Sequence, residues 1–134
     1  ARPVGYRKKK RLTTTFSAVT MKYGGLFLFF FILFHIAHFT APGLAMSRAY
    51  QHNPTDVYAN FVNAFKIPWV TGVYVVAQLF LGMHLFHGAW SLFQSLGFDP
   101  RNDDRRKFLA QTIGVTVAAG NLAMPIAVIS GVVK

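Results

Sequence analysis

The chain has 134 residues, no cysteine, and a formal net charge of +10 from fourteen Lys and Arg against four Asp and no Glu, although 53% of it is hydrophobic. One domain at most fits that length. The lack of cysteine excludes a disulfide framework, a thiolate-held zinc or iron–sulfur centre and a cysteine nucleophile, and Asp56, Asp99, Asp103 and Asp104 all lie outside the uncharged stretches, which excludes carboxylate acid–base chemistry within a membrane.

The charge is clustered. No Asp, Glu, Lys or Arg occurs from Tyr23 to Ser47, from Ile67 to Phe98 or from Phe108 to Val133. Each stretch exceeds the ~20 residues that a helix rising 1.5 Å per residue needs to cross ~30 Å of hydrocarbon. The sequence therefore predicts an all-α membrane protein with three spans. Ten-residue segments of alternating polarity are missing, which excludes a membrane barrel.

Residues 1–15 form a basic loop or tail holding Arg7, Lys8, Lys9, Lys10 and Arg11. Beside apolar spans such a cluster reads as a topology signal facing anionic headgroups, with no call for nucleic acid. The opening has neither the apolar core nor the cleavage site of a signal peptide. The chain is expected to be the later part of a longer membrane protein.

The transmembrane domain is expected over 16–134. Its first span covers about 16–40 and stops at Ala41-Pro42-Gly43. A connection with scattered polar residues and Asn53-Pro54 follows, with room for a short surface helix. The second span covers about 68–96, from Pro68 in the first turn to the stop signal Gly97. After the charged loop 99–107, where Asp103 or Asp104 is a candidate cap, a third span covers about 107–132, with Pro125 as a candidate kink. Its small residues, Gly114, Ala118, Gly120 and Ala123 among them, suit close helix packing in lipid. Eleven Lys and Arg lie on the side of the amino terminus and the 99–107 loop, against three on the other. The positive-inside rule makes the first side cytoplasmic.

Four of the five histidines lie within the spans as two i, i+3 pairs, His35/His38 and His84/His87. An intramembrane histidine needs a partner and is by default a site hypothesis. Three readings stand: haem ligation by one imidazole per helix, a non-haem metal site, and interhelical hydrogen bonding without a metal. Measured from the proline-marked ends, His35 lies ~8 Å deep and His84 ~24 Å. Such a difference is too large for one iron and suits two haems stacked across the bilayer.

Two segments carry a family resemblance. Gly82-Met-His84-Leu-Phe-His87-Gly-Ala-Trp90-Ser91-Leu-Phe93-Gln94-Ser-Leu-Gly97, and Lys22-Tyr-Gly-Gly-Leu with Phe34-His35-Ile-Ala-His38-Phe-Thr, resemble helices of the dihaem cytochrome b anchor of succinate dehydrogenases and fumarate reductases. The resemblance covers nearly the whole chain as the last three helices of a five-helix haem-binding bundle. It implies an inner-membrane subunit with two haems b, passing electrons between an iron–sulfur partner and membrane quinone, while the dicarboxylate reaction of the tricarboxylic acid cycle proceeds in a flavoprotein partner. It places axial ligands at His35, for the outer haem, and His84, for the inner one. His38, His87 and Lys22 are candidates for a second haem contact or a propionate. Two further helices and two further ligands have to come from another chain or from preceding sequence. Some dihaem members carry glutamate where this sequence has Gly82, so their proton pathway is not carried over. The alternative is a haem-free transmembrane scaffold or transport subunit whose histidines are hydrogen-bond partners between helices.

Overall fold

A computed structural model describes residues 16–40, 53–97 and 104–134, with side chains from Thr20 onward in the first segment. The basic cluster 7–11, Tyr50, His52, Asp99 and Asp103 lie outside the described residues. Four helices follow in order: α1 (Phe16–Phe39), α2 (Val57–Phe65), α3 (Pro68–Ser95) and α4 (Asp104–Ile129). Three of them, α1, α3 and α4, are long and apolar enough to cross a membrane, and no strand occurs among the described residues. The protein is a multi-pass membrane protein.

Local chemistry sets the helix ends. Asp56 caps α2 by accepting the Ala59 N–H at 2.8 Å, which satisfies one of the donors a helix start leaves open. Pro68 opens α3, where its missing N–H removes nothing the helix uses. Gly97 ends α3 at φ +84°, a left-handed conformation that favours glycine. Helix α4 begins and stops three residues earlier than the sequence suggests. Asp104 lies in its first turn, a place for negative charge, and the helix runs through Pro125. Its end is set by Gly131 at φ +76°, whose N–H reaches the Val128 carbonyl while that of Val133 reaches Ala127. Those paired bonds close the helix before Val132.

Helix α3 is central, packing most extensively on α4 and also on α1. The short helix α2 covers one end of the bundle. It makes a corner with α3 that is fixed by the Thr71 hydroxyl donating to the Phe65 carbonyl at 2.7 Å, and it contributes Val62 and Phe65 to a core cluster with Val70, Tyr74 and Val128. Within α2, Asn60 accepts the Asn53 N–H at 2.8 Å and donates to the Asn53 carbonyl at 2.6 Å, tying down the Asn53-Pro54 turn before the helix.

The α3–α4 contact is backbone-close. A Cβ built on Gly114 would stand 2.5 Å from the Gly82 carbonyl oxygen and 3.3 Å from the Phe86 Cβ. One built on Gly82 would stand 3.0 Å from the Ala118 Cβ and 3.2 Å from the Gly114 oxygen. Gly82, where some dihaem members have glutamate, is thus a packing position in this chain, and a longer side chain there has to displace α4.

Candidate functional site

The first histidine pair sits on the last turns of α1, one turn apart on the same face. Its partner comes from α3. The Tyr74 hydroxyl lies 3.1 Å from His35 Nδ1 and 3.2 Å from His38 Nδ1. Six residues beyond Pro68, Tyr74 is ~9 Å inside α3, a depth where a phenol needs a polar partner. A hydroxyl has one proton to give, so it donates to at most one imidazole and the other must bring its own Nδ1–H. At least one of the two rings therefore carries a proton on Nδ1; if neutral, that ring keeps its lone pair on Nε2.

The two rings differ in setting. His38 is 3% exposed and stacks on Phe34 with centroids 5.4 Å apart. His35 is more open and borders a cavity of about 640 Å³ at the α2 end of the bundle. All four helices contribute to its walls, with Phe31 from α1, Phe61 from α2, Gln78 from α3 and Met124 from α4. Phe39 lines it as well.

The second pair lies deeper on α3. His84 packs against α1 at Gly25, where a Cβ would stand 3.4 Å from the His84 Cε1. The register is antiparallel: His35 meets Tyr74 and Gly25 meets His84, ten residues apart on each helix, or ~15 Å along the axis. The structure thus keeps His35 and His84 at the depth difference expected of them and does not bring them together. Nδ1 of His84 and Nδ1 of His87 are buried and have no hydrogen-bond partner among the described residues. The His87 ring lies 4.9 Å from that of Phe86. Lys22 is exposed, its ammonium 5.8 Å from the Tyr23 ring centroid.

The described residues contain no group of three or more His, Cys, Asp or Glu placed to share a metal ion. They offer a pair of imidazoles at each of two depths, His35 with His38 and His84 with His87. Tyr74 and Gln78 are the residues that sequence reasoning missed. The available signal was their polarity inside an uncharged span and their i, i+4 spacing, which puts both on one face of α3.

The profile of the succinate dehydrogenase/fumarate reductase transmembrane subunit family matches residues 5–122. The chain belongs to that family. No curated protein and no solved structure matches it. Membership makes this chain a membrane-anchor subunit of the succinate dehydrogenase/fumarate reductase family, part of an enzyme complex. Within that frame the described contacts of His35 and His38 are hydrogen bonds to Tyr74, the arrangement expected of histidines that join helices.

Proposed function

We propose that the chain anchors a succinate dehydrogenase or fumarate reductase in the membrane, and that His35 and His38 act first as a hydrogen-bond clamp between α1 and α3. The observation that carries this reading is the Tyr74 hydroxyl shared by both imidazoles. The clamp works without a metal. Because interhelical hydrogen bonds in membranes contribute ~0.6 kcal/mol on average and up to ~1.7, Tyr74→Phe should cost the anchor about 1–3 kcal/mol. Thermal unfolding of the assembled complex in detergent measures this. Unchanged stability in Tyr74→Phe would overturn the clamp.

The basic segment 1–15 and the loop 99–107 face the cytoplasm in this reading, on the strength of the positive-inside asymmetry. The iron–sulfur and flavoprotein subunits dock on that side, where dicarboxylate chemistry belongs to the flavoprotein.

A second reading adds haem b, for which His35 and His84 would be the holding residues, one for each of two haems. Two observations favour it: the ~15 Å separation of the two rings along the helix axes, and the hydrogen bond that holds the His35 ring at Nδ1. Haem supplies a one-electron carrier when bound. The chain's own part is to orient the imidazoles, exclude water with its phenylalanines, and leave His38, His87 or Lys22 for a second contact. The remaining ligands would then come from another chain or from preceding sequence. Pyridine haemochromogen assay of His35→Ala and His84→Ala in the complex tests this, each variant losing about half the haem. Full haem in either variant overturns that residue's assignment.

Quinone is placed in this reading at the α2 end of the bundle, in the cavity beside His35 and Phe39. An inhibitor bound only beside Ser91 and Gln94, at the opposite end of α3, would refute that placement.

A further inference from the structure

The cavity beneath α2 contains a polar group that the clamp does not use. Gln78 is 8% exposed, lines the cavity, and has a buried Oε1 with no hydrogen-bond partner among the described residues. Ten residues beyond Pro68, it lies ~15 Å into α3. Water is scarce at that depth, and an unmet buried acceptor opposes folding. A second carboxamide, Asn121 of α4, opens on the same cavity. It lies eight residues from the helix end at Ile129, ~12 Å in. Unlike Gln78 it is exposed, and among the described residues it makes no hydrogen bond. Two carboxamides from facing helices, at matching depth and around one hollow, describe a place for a polar ligand atom.

The remaining lining defines the ligand. Phe31, Phe39, Phe61 and Phe65 give the cavity aromatic walls, and no Asp, Glu, Lys or Arg lines it. A phosphate headgroup finds no Lys or Arg there, whereas a flat neutral ring with oxygen substituents finds stacking surfaces and two amides, the third, Asn60, being tied to Asn53. The orphan atom of Gln78 is an acceptor, so its complement is a donor. The hydroxyl of a quinol ring is such a donor. The oxidised ring has only carbonyl oxygens and offers Gln78 Oε1 nothing.

Resting on the placement of quinone at the α2 end, we infer that Gln78, with Asn121 opposite, binds a ring hydroxyl of membrane quinol in this cavity and so favours the reduced ring over the oxidised one. Gln78 is a specificity residue of the site, and Tyr74, one turn before it on the same face, belongs to the clamp at the cavity's edge.

The test uses the assembled complex and two probes, a short-tailed naphthoquinol and the corresponding naphthoquinone, with affinities measured by calorimetry for wild type and Gln78→Met. Methionine keeps an unbranched side chain of similar length and removes the carboxamide, acceptor and N–H donors together. Quinol affinity should fall about tenfold, the equivalent of one good hydrogen bond, quinone affinity should change less than about twofold, and the ligand-free complex should melt no lower than wild type because an unmet acceptor has been removed. Equal quinol affinity in the two proteins overturns the inference while leaving the quinone site in place. So does an equal loss for both ring forms. Failure of both probes to bind wild type at the α2 end removes the quinone placement itself. A phospholipid retained in the cavity in native mass spectrometry overturns the assignment of the hollow to a ring. Asn121→Leu, on the other wall, provides the same comparison if Gln78→Met does not assemble, with quinol affinity again expected to fall and unchanged affinity counting against the site.

Discussion

Alanine at Gly114 separates helix propensity from helix packing. Propensity alone predicts stabilisation, since Gly→Ala inside a helix gains roughly 0.5–1 kcal/mol. The structure predicts the opposite, because the new Cβ would stand 2.5 Å from the Gly82 carbonyl oxygen, which is backbone and cannot swing away. Restoring ordinary contact needs the helices to part locally by about 0.9 Å. Overpacking of this kind costs ~1–3 kcal/mol, partly offset by the propensity gain, for a net loss of up to about 2.5 kcal/mol. Gly120 is the control on the same helix: a Cβ there meets nothing within 4 Å, so Gly120→Ala should hold or gain up to ~1 kcal/mol. Thermal unfolding of both variants in one detergent gives the comparison, with propensity cancelling between them. A Gly114→Ala protein as stable as Gly120→Ala would refute the close α3–α4 contact.

Three further outcomes follow from local geometry. Asp56→Ala should cost α2 about 1 kcal/mol by removing its cap, and Asp56→Asn should retain most of it; amide exchange over 57–65 reports the difference, and equal protection in Asp56→Ala and wild type would count against the cap. Asn60→Ala should raise exchange at Asn53 and loosen the turn before α2, since it removes both bonds to Asn53, with a cost of ~1–3 kcal/mol; unchanged exchange there contradicts the tie. Gly97→Ala should destabilise the end of α3 by ~1 kcal/mol because of its positive φ, whereas Gly72→Ala, with open space around it, should not; identical melting of the two variants would disprove the left-handed cap.

The sequence by itself determined the three membrane-length helices, because charge is too costly in hydrocarbon for runs of this length to be accidental. Their boundaries followed from particular residues: Pro68 opens α3 and Gly97 closes it within a residue of expectation, while α4 ended early because Gly131, not Val132, supplies the left-handed cap. The two histidine pairs and their difference in depth were legible too, since rise per residue is fixed within a helix.

Which way each helix faces was not legible. Apolar residues surround α1, α3 and α4 on every side, so periodicity gives no inward stripe. In lipid the partner face is chosen by fit between backbones and by polar groups finding one another. Tyr74 could be matched to His35 and His38, Gly82 to Gly114, and Gln78 to the hollow under α2 only when the helices were set in register. These contacts join residues more than thirty positions apart on different helices. Only the tertiary structure brings them together, because each depends on how two helices are rotated about their axes, and an evenly apolar sequence leaves that rotation unspecified.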